Sequence, residues 1–146
     1  DAHDIVAPST EGAGRTMLAA LRSARIAPEA VGYVNAHGSA TKANDTSEAL
    51  ALRRVFGDHI DRLPVSSTKS MHGHLIGGTG AVELLACLMA LRLGIVAPTI
   101  GYEQPDPDCR IDAVPNTARR ARVDVAMSNA FAFGGLNAVI VLRRAP

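Results

Sequence analysis

The segment 80–93 constrains the fold of this chain more than any other part. Its residues, GAVELLACLMALRL, are apolar on almost every side of the helix that they would form, and Gly94 follows them as a stop signal. A helix on the surface of a domain has a single apolar stripe, whereas a helix that is apolar all round is buried. The sequence therefore predicts that this helix lies in the centre of a layered domain.

Helical segments alternate with short β-type runs along the rest of the chain. Apolar residues at helical spacing predict two more helices, at 12–24 and 44–56. The predicted caps are Ser9 or Thr10 for the first helix and Asp45 or Thr46 for the second.

Strands are predicted at 31–36, 63–68, 123–128 and 137–142. The last two are joined in hairpin fashion by 131–136, and the proline-containing stretch 98–115 is predicted to be irregular. Strands that alternate with helices imply an α/β layer structure with a largely buried sheet.

The composition describes a single globular domain. The 146 residues are 47% apolar and carry a net charge of +1, without the concentrated basic face that nucleic-acid binding needs. The longest uninterrupted apolar run, 84–91, is shorter than the roughly 20 residues that span a bilayer, and no signal peptide is evident. We therefore expect one domain over residues 1–146, with neither a nucleic acid nor a membrane as partner.

The two cysteines, Cys87 and Cys109, do not make a disulfide scaffold, so we expect a cytoplasmic protein. Neither cysteine has the surroundings of a nucleophile. Cys87 lies in the middle of the apolar segment, and Cys109 lies in the proline-rich stretch with no histidine nearby in sequence. The chain starts at Asp1 without an initiator methionine, and we expect it to be a fragment of a longer protein.

Polar or glycine-rich residues follow the β runs in three places, at 37–41 (HGSAT), 69–74 (KSMHGH) and 129–137 (NAFAFGGLN). In layered α/β proteins, functional sites form beyond the ends of strands, where several loops converge. The sequence therefore predicts that these three segments form one composite site.

Three histidines in these segments are candidates for chemistry. His37 is either a neutral imidazole that donates to an oxyanion or shuttles a proton, or a loop histidine satisfied by the backbone. His74 lies at the mouth of the apolar helix, where a helix N-terminus favours a neutral imidazole that is ready to donate. His72 either belongs to the site or points to water.

Lys69 follows an apolar strand directly and needs an acidic partner if it is buried. Glu83, in the first turns of the following helix, could reach back to it. An ion pair that fixes the loop and a direct part in the chemistry both remain open, and the two are compatible.

Other kinds of site fit less well. The glycines of GHLIGGTG lack the Lys-Ser/Thr pair of a P-loop and the spacing of a dinucleotide fingerprint. His37, His72 and His74 suggest zinc, but no cysteine or carboxylate lies in the same loops at ligand spacing. We therefore expect no metal and no cofactor, and a small metal-binding module remains as a rival interpretation.

Taken together, the motifs NAHGSAT, SSTKSMHGHLIGGTGAVE, PDPDC and SNAFAFGGLNA closely resemble the C-terminal part of β-ketoacyl-[acyl-carrier-protein] synthases, nearest to the synthase II type. The resemblance runs from Asp1 to about Arg143. It implies a thiolase-like α/β fold, in which two similar halves with mixed sheets stack in five layers, αβαβα. The chain would be the C-terminal half, and the nucleophilic cysteine would belong to an N-terminal half that is absent here.

The resemblance also implies roles for individual residues. The implied catalytic residues are His37, His74, Lys69 and Phe133. Phe133 would be a gating residue whose backbone N–H completes an oxyanion hole. The implied substrate-binding residues are Ser39, Thr41, Gly134 and Gly135, and the implied supporting residues are Glu83, Asp45 and Asn137. Three departures from the family pattern, Ser39, His72 and Ala132, leave substrate preference open.

The reaction that the resemblance implies is a decarboxylative Claisen condensation in fatty acid or polyketide synthesis. Malonyl-carrier protein would condense with an acyl group held on the cysteine of the absent half. The expected partners are an acyl carrier protein, that N-terminal half and, in the complete protein, a second copy as a homodimer. The chain alone would be inactive. A non-catalytic subunit resembling a chain-length factor is the rival within this fold.

Overall fold

The structure is a computed structural model that describes residues 3–145, so Asp1 lies outside the described residues. The α-helices of this part, in chain order, are α1 Thr10–Ala24, α2 Lys42–Phe56, α3 Lys69–His72 and α4 Thr79–Leu93. Short 3₁₀ turns occur at Pro28–Ala30, Gly57–Asp61, Ile76–Gly78 and Phe133–Gly135.

A mixed sheet forms the middle layer. The strands, in chain order, are β1 Tyr33–Asn35, β2 Val65–Ser66, β3 Ile95–Val96, β4 Arg119–Arg120, β5 Val125–Ala132 and β6 Leu136–Arg143. Four of them form one sheet in the order β2-β1-β5-β6, while β3 and β4 form a separate antiparallel pair. β1 is parallel to both β2 and β5, and β5 is antiparallel to β6. The predicted hairpin is confirmed, although β5 continues further than expected, to Ala132.

Helices cover both faces of this sheet. Because side chains alternate along a strand, Val34 and Met127 belong to the core shared with α1 and α2, whereas Tyr33 and Ala126 belong to the core shared with α4. All four of these side chains are fully buried. The chain therefore forms three layers, with α1 and α2 on one side and α4 on the other, and the predicted α/β layer structure is confirmed.

The helix ends differ from the sequence predictions in two places. Ser9 caps α1 as predicted, but the cap of α2 is Thr41, whose Oγ1 accepts a hydrogen bond from the Asn44 N–H at 3.3 Å. The prediction of Asp45 or Thr46 is wrong because the helix begins two residues earlier, which places Asp45 in the first turn, where its charge suits the helix dipole. Residues 69–72 form the single turn α3 rather than part of a loop.

The helix α4 is less buried than its sequence predicts. One face packs on the sheet through Ala86, Cys87 and Ala90. The opposite face exposes large apolar side chains at helical spacing, namely Leu85, Leu88, Met89 and Leu93. The prediction of a helix buried on all sides is therefore wrong for this chain by itself, because none of its described layers covers that face.

By length and composition, Ile76–Leu93 is the single candidate membrane-spanning segment within residues 3–145. The sequence analysis considered only the uninterrupted apolar run 84–91, which is too short to span a bilayer, and this longer segment corrects that estimate. A third of this 18-residue segment is buried, and Glu83 within it is fully buried. α4 also packs against β1, β3 and β5. These contacts are those of a core helix, which meets the same criteria of length and composition.

The exposed face of α4 generates a prediction about the 146-residue chain on its own. We expect this chain to self-associate, because an apolar face of this size drives association in water. The substitution Leu88→Lys places a charge in the middle of the face and should reduce the associated fraction measured by size-exclusion chromatography. Leu50→Lys, at a similarly exposed apolar residue on α2 (46% against 41%), is the matched control and should change little. A monomeric wild-type chain would contradict the prediction.

Candidate active site

His37 lies just beyond the carboxyl end of β1 and is 8% exposed. The chain turns at the next residue, Gly38, which has a φ of 40°. A Cβ added to Gly38 would lie 2.5 Å from the Cβ of Ser67, so the position requires glycine. The Ser67 hydroxyl donates to the Gly38 carbonyl at 2.7 Å, and this bond joins the loop after β1 to the loop after β2.

Glu48 on α2 also holds this loop, and the sequence did not indicate this residue. This buried side chain on α2 accepts the His37 N–H at Oε1 (2.9 Å) and the Gly38 N–H at Oε2 (2.8 Å). The amides of Asn129 and Asn44 donate to the same carboxylate at 3.1 and 3.5 Å. Burial raises the pKa of Glu48, and these donors act against that rise because they favour the ionised form.

Lys69 and Glu83 form the ion pair that the sequence predicted, and both residues are buried. The ammonium of Lys69 donates to Glu83 Oε1 and also to the carbonyl oxygen of His37. Burial raises the pKa of the Glu83 carboxyl, while the hydrogen bond and the charge of Lys69 lower it. The pair therefore connects α3 and α4 to the backbone of His37.

His74 lies next to His37, with the two ring centroids 5.6 Å apart and the planes at 81°. The Ile76 N–H donates to His74 Nδ1 at 3.1 Å, and the Thr79 hydroxyl lies 3.0 Å from the same nitrogen. Because a backbone N–H can only donate, Nδ1 carries no proton. In the neutral ring of His74 the proton is therefore on Nε2, where it can be donated.

His37 is held in its neutral form by its surroundings. Burial first, then the charge of Lys69 and the proximity of His74, lower the pKa of His37 to about 4. Its Nδ1 is buried and has no hydrogen-bond partner among the described residues. Glu83 Oε2 and Asn129 Oδ1 are also buried without a hydrogen-bond partner among these residues.

The three predicted segments do meet in one place. His37 contacts His74 and Lys69, while Asn129 donates to the carboxylate that holds the His37 loop. Phe131, which the sequence analysis did not single out, has its ring centroid 5.7 Å from that of His37. Asn129 and Phe131 lie within β5 rather than in a loop, so this side of the site is a strand end.

The hydroxyls of Ser39 and Thr41 lie 3.1 Å apart at the start of α2. Asp45 accepts a hydrogen bond from the Asn44 amide at 3.0 Å. The same amide also donates to the Glu48 carboxylate. Ser39, Asp45, Lys69 and His74 line a groove of about 580 Å³, whose other wall includes Tyr102 and other residues of 99–113. The groove leads from the surface to Lys69.

Phe133 does not contact the histidines in the described structure and is 74% exposed. It begins the 3₁₀ turn between β5 and β6, where Gly134 and Gly135 have φ values of 74° and 70°. The Gly134 N–H donates to the Ile5 carbonyl at 2.8 Å. Asn137 lies opposite Phe131 in the β5–β6 register.

The cysteines are poor nucleophiles in this structure. Burial raises the pKa of Cys87 to about 12, and burial also raises the pKa of Cys109. Within residues 3–145, no group of three or more histidine, cysteine, aspartate or glutamate side chains could hold a metal ion. The arrangement offers neutral imidazole donors, a cation and a groove, and so is suited to stabilising negative charge on a bound substrate.

Comparison with known proteins gives a consistent result. The family model described as "Beta-ketoacyl synthase, C-terminal domain" matches residues 1–103. Nodulation protein E of Rhizobium meliloti is 51% identical over 144 residues, which is 99% of this chain and 36% of that protein. 3-Oxoacyl-[acyl-carrier-protein] synthase 2 of Coxiella burnetii is 49% identical over 146 residues, or 99% of this chain and 35% of that protein.

A solved structure, described as a type II polyketide synthase acyl-carrier protein (AntF) in complex with its ketosynthase (AntDE) bound to the hexaketide, superposes with a TM-score of 0.95. Its identity to this chain is 34%, and the match covers the whole chain and 36% of that structure. The thiolase-like α/β fold is thus confirmed. The chain spans about a third of the length of the curated relatives that it matches.

The contacts of Glu48 generate a prediction about stability. In Glu48→Gln, an amide N–H₂ replaces an oxygen that accepts hydrogen bonds, so buried donors lose their partner. We expect a loss of about 1–3 kcal/mol in the free energy of unfolding, measured by denaturant in the complete protein. Glu29→Gln, at an exposed residue, is the control. Unchanged stability in Glu48→Gln would contradict the prediction.

The electrostatics of His37 generate a second prediction. Followed by NMR in the complete protein, the imidazole should titrate near pH 4, well below its ordinary value of 6.5. Removing both charges of the ion pair in Lys69→Met/Glu83→Gln should raise this midpoint, because the nearby cation disfavours imidazolium. It should remain below 6.5, because burial is the largest cause of the shift. A wild-type midpoint near 6.5 would contradict this description.

Proposed function

The chain belongs to the family of β-ketoacyl synthase C-terminal domains, and on that premise we propose that it supplies the histidine and lysine part of a 3-oxoacyl-[acyl-carrier-protein] synthase active site. The observation that carries the proposal is the pair of histidines with ring centroids 5.6 Å apart, one with its pKa lowered by burial and one with a free Nε2–H. Neutral imidazoles at this spacing suit donation to a single developing oxyanion.

The proposed reaction has two stages. First, the acyl group of an acyl carrier protein is transferred to a cysteine thiolate of the remainder of the protein, and the carrier's thiol leaves. Next, malonyl-carrier protein loses CO₂, and the electron pair of the broken C–C bond forms an enolate of the thioester. The enolate carbon then attacks the acyl carbonyl, and the cysteine thiolate leaves, so that a 3-oxoacyl thioester remains on the carrier protein.

His37 and His74 act in the decarboxylation step. Negative charge moves from the malonyl carboxylate to the thioester oxygen, where N–H donors stabilise it more than they stabilise the ground state. Both imidazoles must be neutral to keep a fixed donor orientation and to avoid pairing with the carboxylate that has to leave. Lys69 positions His37 through the carbonyl oxygen of that residue, and Glu83 balances the lysine charge.

Other residues contact the substrate or shape its access. The hydroxyl of Ser39, which lines the groove, and that of Thr41, 3.1 Å from it, bind the phosphopantetheine arm of the carrier protein. Phe133 gates the site, and its turn can change conformation because Gly134 and Gly135, which have positive φ values here, lack a Cβ. Asp45 and Asn137 brace the loops that carry these groups.

The remainder of the protein supplies the nucleophile and covers α4. The poor nucleophilicity of Cys87 and Cys109 supports this division, as does the exposed apolar face. We propose an acyl carrier protein as partner, a homodimer as the complete assembly, a cytoplasmic location and no cofactor. The pathway is fatty acid or polyketide synthesis.

The proposal predicts the effect of removing each histidine. In the complete protein, His74→Ala and His37→Ala should each lower the rate of CO₂ release from malonyl-carrier protein by about 10²–10³, the usual effect of losing an oxyanion donor. His59→Gln is the control, because His59 contacts the Val31 carbonyl at 2.8 Å, and glutamine can still donate there.

Two results would contradict the proposal. Decarboxylation at the wild-type rate in His74→Ala would show that the role assigned to His74 is wrong. A complete protein that forms no acyl-cysteine when given acyl-carrier protein would favour a non-catalytic subunit resembling a chain-length factor.

A further inference from the structure

We propose that His72 is a positioning residue, which orients the Thr68 hydroxyl and, through it, the Asn35 amide beneath the Lys69–Glu83 pair. The inference rests on the proposed function only for its kinetic consequences. The hydrogen-bond arrangement itself can be tested without any assay of activity. The residues involved are the half-buried His72 and the buried Thr68 and Asn35.

The two ring nitrogens of His72 have different partners. Nδ1 lies 2.7 Å from the Gly73 carbonyl oxygen, and Nε2 lies 3.1 Å from the Thr68 hydroxyl. A carbonyl oxygen only accepts, so Nδ1 carries the proton in the neutral ring. Nε2 is then an acceptor, and the Thr68 hydroxyl must donate to it. Gly73 has a φ of 76°, so this backbone conformation favours glycine.

The direction of this bond fixes the next one. Because the Thr68 proton points to His72, the lone pairs of the hydroxyl oxygen are free for the Asn35 amide, whose Nδ2 donates at 3.1 Å. The same Nδ2 donates to the backbone carbonyl of Glu83 at 3.2 Å. Both protons of this fully buried amide are therefore used, and its orientation is determined.

The chain of hydrogen bonds ends at the catalytic groups. Asn35 holds the backbone of Glu83, and Glu83 pairs with Lys69, which donates to the His37 carbonyl. Thr68 is also the residue directly before Lys69 in the chain. A half-exposed imidazole is thus linked through buried groups to the proposed oxyanion donor.

Protonation of His72 would reverse the first bond. With protons on both nitrogens, Nε2 becomes a donor and the Thr68 hydroxyl must turn to another acceptor. The one within reach is Asn35 Oδ1 at 3.5 Å, which is a long and weak contact. Two charged groups lie near this imidazole. They are Glu83 on α4, whose pKa is raised by burial and partly lowered by the charge of His72, and Lys69, one turn away on α3.

The first test uses the wild-type complete protein, labelled with ¹⁵N in its histidines. The nitrogen chemical shifts of the neutral His72 ring should identify the Nδ1–H form. Observation of the Nε2–H form would overturn the proposal, whatever the outcome for His37 and His74. This measurement needs no substituted protein, so a variant that fails to fold does not affect it.

A matched pair of substitutions then separates the two contacts. Glutamine at this position places an acceptor near the site of Nε2, whereas asparagine reaches only the Gly73 carbonyl near the site of Nδ1. His72→Gln should keep the decarboxylation kcat close to that of the wild type. His72→Asn should lower kcat about three- to tenfold with little change in KM, the scale of one neutral hydrogen bond.

The split between kcat and KM, together with rescue by the conservative variant His72→Gln, is a readout that a merely structural role would not produce. Equal rates for the two variants would overturn the proposal.

Discussion

The ion pair between Lys69 and Glu83 is the interaction on which the site depends. Two charges removed from water are costly to bury, and breaking such a pair typically costs about 3–5 kcal/mol, because the remaining charge has no partner. Here the lysine also donates to the His37 carbonyl, so the pair joins three separate stretches of chain. The loop after β1, the turn α3 and the helix α4 are consequently held in one arrangement.

The sequence predicted this pair for a physical reason, and it missed Glu48 for another. A lysine directly after an apolar strand cannot be buried alone, so a glutamate on the next helix was the expected partner. Glu48 lies on a helix with many polar residues, and no motif in the sequence points to it. Yet it shares a buried stripe with Leu52 and Val55, four and seven residues further on, and that spacing was the available signal.

The fold was predictable to a similar extent. Strand and helix periodicity identified the layers, whereas the cap of α2 depended on a backbone conformation that side-chain types do not fix. The residues of α4 do not tell which part of the protein covers each of its faces. An apolar helix indicates only that some other element packs against it. Within residues 3–145 the sheet covers one face, and Leu85, Leu88 and Met89 mark the other. This division agrees with a chain that spans about a third of its relatives.

In the proposed function, the charges around His37 serve two requirements of an oxyanion site together. The donor must be neutral, and the surroundings must be positive where negative charge develops. A cation beside a buried imidazole meets both requirements, since the charge of Lys69 lowers the pKa of His37 and a positive charge attracts negative charge that develops nearby. Glu83 contacts the lysine rather than the imidazole, so it balances the charge of Lys69 without drawing a proton onto His37.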